Sequence, residues 1–464
     1  MDGHSSRMVI GASAVALALF VAACGDGSDD PPAAAATTTT TAAPSTTTAA
    51  PSTTVATTTA APSTTTVAPS TTAATAAPSG LKTIDPAAVQ DLVDATMKEL
   101  GVPGAVVMLR TPQGEVVAPY GTTELGTDDR PDAGTHFRIA SITKTMTSAV
   151  ILQLVQEGKI ELDDPVTKYI PDVPGGDGIT IAQLLEMRSG LYSFTDDPAI
   201  AQTMDDDPTR VYTPQELLAI AYAQPPMFPP GSDYYYSNTN YVLLGLIIEQ
   251  LDGRPLAASF EERLFKPLGM TNTSFPAVDS HTIPAPFSHG YLYGSASHVM
   301  LGTPLYTEEE AAAAKAGTLQ PNDFTDINHS FSFAAGAVTS TAADLATWLN
   351  ALGSGKVLKP EMQRIWQDSA KIVDPKNSYN WYGYGIGQLK WGSNTIDLHG
   401  GETPGFNSEA AYDPDNDMTF VIWTNLTMSL DNKLTALVMM LRLIDQIYEQ
   451  SPVPPTTTTT TTPP

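Results

Sequence analysis

Read for the spacing of its apolar positions, the chain has a low-complexity beginning, a long patterned body and a short low-complexity end. The body opens with a helical period over Pro86–Leu100. Two strands follow, 105–110 and 115–118, turned at Thr111-Pro112-Gln113-Gly114. Ile142, Met146, Val150, Ile151 and Leu154 then recur at helical spacing and predict a largely buried helix ended by Gly158. The middle reads as helices at 181–187, 214–223, 240–251, 256–264 and 344–352, with Asp205-Asp206-Asp207 in a solvated loop. Strands return at 395–399, 409–412 and 418–424, and an amphipathic helix over 433–448 closes the body. Strands at both ends with helices between them imply an α+β fold. One antiparallel sheet is built from both ends of the domain and flanked by helices, with a helical region inserted. A site between sheet and insert follows.

The low-complexity parts change the picture of where the protein resides. Residues 8–23 form a continuous apolar run behind Arg7, too short to span a membrane comfortably. It ends in Val21-Ala22-Ala23-Cys24-Gly25, which resembles a bacterial lipoprotein signal whose cysteine receives lipid. An ordinary cleaved signal beside an incidental cysteine remains the alternative. The expected organisation is a signal at 1–23, a disordered Thr/Ala/Pro/Ser-rich tether at 24–83, a globular body at 84–450 and a disordered tail at 451–464. The expected location is the outer face of a bacterial cell membrane, anchored through Cys24. Because Cys24 is the single cysteine, there is no disulfide framework. A net charge of −27 over 464 residues argues against a nucleic-acid partner. No two histidines stand at metal-ligand spacing, so neither a metal nor a cofactor is called for.

Candidate chemistry sits in three distant stretches. Ser141 and Lys144 fall in the first turn of the predicted central helix, one turn apart on the same face. A desolvated, neutral lysine there can take the proton of an otherwise poor alcohol nucleophile. Spacing alone proves little, since Ser79 and Lys82 repeat it in a linker. Tyr236 and Asn238 lie in Tyr234-Tyr235-Tyr236-Ser237-Asn238-Thr239-Asn240, just before an apolar helix. A phenol near a lysine ammonium has its anion stabilised and can relay protons, and Asn238 can bind an amide. A tyrosine-rich turn packing before a helix would look the same. His399, in Leu398-His399-Gly400-Gly401-Glu402, ends a predicted strand whose glycines admit a close ligand. It is placed to complete the hydrogen bonding around Tyr236.

Taken together these stretches resemble the serine β-lactamase and penicillin-binding-protein superfamily. The nearer likeness is to the branch of class C β-lactamases and D-alanyl-D-alanine carboxypeptidases, which includes D-aminopeptidases and esterases. The resemblance runs from Val102-Pro103-Gly104 to about Asn425. It takes in Phe137-Arg138-Ile139-Ala140-Ser141-Ile142-Thr143-Lys144, Leu184 to Leu191, Tyr236 to Tyr241, Ala335 to Thr341 and His399-Gly400-Gly401. It implies a β-lactamase/DD-peptidase-like fold and an acyl-Ser141 intermediate. By the same resemblance Lys144 is the activating base, Tyr236 the proton relay, Asn238 an amide contact, and His399 with Gly401 the substrate-facing strand. The resemblance also implies an oxyanion hole formed by the backbone N–H groups of Ser141 and Glu402.

The implied substrates are small molecules or peptides: cell-wall D-peptides, β-lactams, amides or esters. A penicillin-binding receptor that does not turn over shares every motif. The third motif departs from the branch. Where β-lactamases have Lys-Thr-Gly and carboxypeptidases His-Thr-Gly-Thr, this chain has Gly400 and Glu402 at the hydroxyl positions. A carboxylate there disfavours a substrate carboxylate, unless Lys390 offsets it.

Overall fold

The computed structural model describes residues 80–449 apart from residue 376. The stretches expected to form the signal, the tether with Cys24 and the tail lie outside the described residues. The helices that matter here are α1 (Pro86–Leu100), α2 (Thr143–Gln156), α3 (Asn238–Asp252), α4 (Ala342–Gly353) and α5 (Thr435–Ile447). Local chemistry fixes their ends. Asp85 caps α1 by accepting from the Ala87 amide, Pro86 takes the first position, and Gly101 closes it at φ 69°.

Eight strands form one sheet: β1 (Gly104–Thr111), β2 (Gly114–Gly121), β3 (Lys371–Asp374), β4 (Asn377–Tyr382), β5 (Gly387–Trp391), β6 (Asn394–Thr403), β7 (Phe406–Asp413) and β8 (Met418–Thr424). Their order is β2-β1-β8-β7-β6-β5-β4-β3, antiparallel throughout. The first hairpin docks on the last strand, with Ala105 opposite Thr424. The sheet is therefore assembled from both ends of the domain, as the sequence pattern implies.

Both faces of this sheet are covered, and for that reason β1 reads as an unbroken apolar run rather than an alternating one. Ala105, Val107 and Leu109 pack with α1 and α5, while Val106 and Met108 join the larger core around α2, α3 and α4. Trp348 and Trp423 are fully buried in that core, and Phe137 stacks on Trp423 at 5.1 Å.

Three differences from the sequence reading bear on the sheet and the site. Residues 353–394, read without elements, hold the helix Pro360–Asp368 and the strands β3, β4 and β5. β3 is mostly exposed and its pairing with β4 slips after Ile372, so the two-residue period is faint. Asp205 and Asp206 end the helix Pro198–Asp206 instead of lying in a loop. Ser141 belongs to a short 3₁₀ turn, Ala140–Ile142, ahead of α2, and Ala140 is held at φ 46°. A side chain other than glycine in that region is strained, and such strain collects at functional sites.

Candidate active site

The site forms where α2, α3 and the free edge of β6 converge. β5 pairs with β6 only as far as Leu398, so the β6 edge from His399 to Thr403 has no partner from β5. That edge is pressed against the Ser141 turn. A Cβ on Gly401 would stand 2.2 Å from the Ile139 carbonyl oxygen, so glycine is what lets strand and turn meet.

Lys144 is fully buried on α2, and three oxygens surround its amine. Nζ lies 2.9 Å from Ser141 Oγ, 2.7 Å from Asn238 Oδ1 and 2.8 Å from the Ala335 carbonyl. Burial holds the Lys144 amine well below its ordinary range, which favours its neutral form. A neutral amine has two N–H donors and one lone pair. The carbonyl oxygens of Asn238 and Ala335 can only accept, so they engage both donors and the lone pair is left for the Ser141 hydroxyl proton. The surroundings fix this arrangement. Asn238 is oriented by Nδ2 donating to Thr195 Oγ1 at 2.9 Å and by its amide donating to Ser193 Oγ at 3.1 Å. Ala335 is held by close packing on α3, where a Cβ on Gly245 would be 2.5 Å from Ala334 Cβ.

Tyr236 hydrogen-bonds Ser141, and its ring lies 4.8 Å from Lys144 Nζ. Burial pushes its phenol well above the usual value, against the opposing effect of the Ser141 hydrogen bond. A Tyr236 phenolate is therefore disfavoured, and the same burial favours the neutral Lys144 amine that the sequence called for. His399 does not complete the bonding around Tyr236 either. Its Nε2 meets the Tyr382 hydroxyl at 3.0 Å and its Nδ1 the Gly400 carbonyl at 2.7 Å, while the Tyr236 ring is 6.4 Å away. Burial, together with Lys144, holds His399 down to about 3, so it stays neutral.

A half-open cavity lies over Ser141, bounded by Tyr236, Asn238, Gly401, Glu402, Glu409 and Met300. Burial raises the Glu402 carboxyl to about 8. Glu409 is raised to about 8 by burial and by the nearby Glu402. Lys390 does not reach this place. It is held on β5 by Gln388 and Thr395, at 3.2 and 3.0 Å.

Ser141, Lys144, Tyr236, Asn238, Gly401 and Glu402 are thus brought to one locus, with His399 one layer behind Tyr236. Sequence reasoning missed the Ala335 carbonyl, Tyr382 and Glu409. Of these only Glu409 left a signal, an acidic residue within the predicted strand 409–412. Among the described residues no group of three or more His, Cys, Asp or Glu side chains is arranged to hold a metal. Nor is any described helix long and apolar enough to cross a membrane.

A nucleophile turn, a lysine one turn on, a tyrosine from a helical region and a glycine-rich strand edge together define a β-lactamase-type site. The family model described as Beta-lactamase matches residues 89–440, and the chain belongs to that family. A D-stereospecific amidohydrolase from Streptomyces sp. has a similar structure, with 32% identity and a TM-score of 0.64 over 74% of this chain and 95% of that one. The D-amino acid amidase of Ochrobactrum anthropi SV3, solved with L-phenylalanine amide, is 25% identical with a TM-score of 0.65, covering 78% of this chain and 96% of that one. The D-alanyl-D-alanine-carboxypeptidase/endopeptidase AmpH of Escherichia coli K12 is 31% identical over 205 residues, 42% of this chain and 52% of AmpH. Protein flp of Staphylococcus aureus N315 is also 31% identical, over 41% of this chain and 39% of flp. The match spans about half the length of AmpH and less of flp.

Proposed function

We propose that the protein is a serine hydrolase that opens D-peptide, amide or ester bonds through an acyl-Ser141 intermediate. The observation that carries this reading is the fully buried Lys144 amine, held well below its ordinary range and placed 2.9 Å from Ser141 Oγ. Ser141 Oγ attacks the substrate carbonyl carbon and its proton passes to Lys144 Nζ. The backbone N–H groups of Ser141 and Glu402 receive the oxyanion, at about 3 kcal/mol for each donor. The Tyr236 hydroxyl gives its proton to the departing nitrogen or oxygen as the carbon–heteroatom bond breaks, and is reprotonated from Lys144. Water then adds to the acyl carbon. Its proton returns to Ser141 Oγ through Tyr236 and Lys144, and a carboxylic acid leaves.

The substrate class draws support from relatives named as D-amino acid amidase and D-stereospecific amidohydrolase. AmpH supports a carboxypeptidase-like variant of the same chemistry. The Gly400 and Glu402 positions weigh against substrates held by a free carboxylate. A fluorophosphonate should modify Ser141, and Ser141→Ala should lose both labelling and turnover of a panel. The panel comprises a D-Ala-D-Ala peptide, a D-amino-acid amide, a short-chain ester and a chromogenic cephalosporin. Retained hydrolysis would remove the mechanism, and labelling without turnover would leave a penicillin-binding receptor. Export and anchoring through Cys24 belong to the same proposal and rest on residues 8–25.

A further inference from the structure

We propose that Glu409, together with Glu402, forms a subsite for the free ammonium group of the acyl-donating residue. The preferred substrates are then amides or peptides of D-residues with an unblocked amino terminus. The proposal deepens the acyl-Ser141 reading and rests on it.

Gly400 pairs with Glu409 and Glu402 with Asn407 across β6 and β7. Since side chains alternate along a strand, Glu402 and Glu409 stand on one face as diagonal neighbours, with Gly400 between them. Gly400 makes room: a Cβ there would lie 2.8 Å from Glu409 Oε1. Glu409 is 4% exposed and its Oε2 has no hydrogen-bond partner, yet it lines the cavity that contains Ser141. A buried carboxyl oxygen without a donor is costly, and a bound donor would relieve that cost.

The donor's chemistry follows from what else bounds the cavity. Among the described residues no lysine, arginine or histidine lines it, whereas two carboxyls do. A substrate carboxylate would find no cationic side chain there, but an ammonium would find an open acceptor and favour the charged form of either carboxyl. In an aminoacyl donor the ammonium sits on the carbon next to the scissile carbonyl. The same residue, Glu402, is then placed to serve both groups, through its amide and its carboxyl. Val299, Met300 and Leu434 supply an apolar wall suited to the adjoining side chain. Ammonium binding also draws both carboxyls back toward their charged forms, so substrate binding is coupled to proton release.

The test compares D-phenylalanine amide with N-acetyl-D-phenylalanine amide on the full chain, with fluorophosphonate labelling of Ser141 recorded for every variant. Wild type should favour the free amine. Glu409→Gln should lower the free-amine to N-acetyl ratio of kcat/KM by about 10- to 100-fold, the usual loss for a hydrogen bond to a charged group, mainly through KM. Glu409→Asp should recover part of it, as a filler of space alone would not. Should Glu409→Gln not fold, the ratio in Glu402→Gln and competitive inhibition of wild type by benzylammonium decide instead. Equal use of the two amides by wild type, an equal loss on both in Glu409→Gln, or no inhibition by benzylammonium would overturn the subsite and leave the acyl-enzyme intact. Failure of wild-type Ser141 to label would overturn the reading beneath it.

Discussion

Gly401→Ala tests whether the contact between β6 and the nucleophile turn governs activity. The new methyl would stand 2.2 Å from the Ile139 carbonyl and 2.5 Å from Ser408 Oγ, where ordinary contact begins at 3.4 Å. Ser408 can turn its hydroxyl away. Ile139 O is backbone, two residues before Ser141, and cannot. Strand and turn must separate by about 1 Å, because a close-packed interior has no slack to absorb the methyl. A misplacement of about 1 Å in a catalytic constellation costs about 100-fold in rate. Overpacking of this kind costs about 1–3 kcal/mol in stability, which leaves most domains folded. The assay is kcat/KM on an activated ester and an amide, beside the fluorophosphonate labelling rate and a thermal melt. Gly353→Ala is the control. Its methyl would meet the Tyr412 ring at 2.1 Å, outside the Ser141 cavity, so it should lower the melting temperature while the folded fraction keeps its kcat/KM. Wild-type kcat/KM in folded Gly401→Ala would refute the reasoning.

Other outcomes follow from the same geometry. Lys144→Met keeps the packing but removes the base, so labelling of Ser141 should slow by about 100-fold or more, and an unchanged rate would mean that another group takes the proton. Only neutral Lys144 can accept that proton, and its value lies well below 10.5. Ester hydrolysis should therefore rise with pH through the lowered value and level off long before 10.5, whereas a rate still climbing near pH 10 would contradict a desolvated amine. Glu409 carries its proton up to about 8 when folded, against an ordinary 4.5 when unfolded. The folded state binds more protons across that window, so this group's stabilising proton is lost as pH rises, at a cost of about 3 kcal/mol by pH 7. Glu409→Gln should thus melt higher than wild type near pH 7 and show no such advantage at pH 4; parallel melting curves across that range would reject the argument. Cys24→Ala should move the protein from the membrane fraction to the soluble one, and persistent association would mean that something else holds it.

Much of the fold was legible because it rests on strong periodic signals. α1 has a cap, a leading proline and a closing glycine, and β8 is a plain apolar run. The edge strand β3 was not legible, because an exposed, bulged edge leaves little alternation to read, and β5 is short and mostly buried, with no polar alternation. Around the site, Ser141, Lys144, Tyr236 and Asn238 could be singled out since each pairs a reactive side chain with a helix start. The Ala335 carbonyl could not, because a backbone acceptor has no residue-type signature. The bond from His399 to Tyr382 was hidden for a related reason: it depends on β4, an element that the pattern did not reveal. Burial supplied the final correction. The sequence already pointed to a neutral Lys144 as base but left room for a Tyr236 phenolate beside an ammonium, which desolvation disfavours.

The two ends of the described domain meet. Leu81 bridges Tyr448, the Lys82 amide donates to the Ile447 carbonyl, and the Glu449 amide donates to the Gly80 carbonyl. Entry and exit of the chain thus form a clasp that a short peptide could replace. A circular permutant that joins Glu449 to Gly80 and reopens at the exposed turn near Gly317 would keep every strand neighbour and leave Ser141 in place.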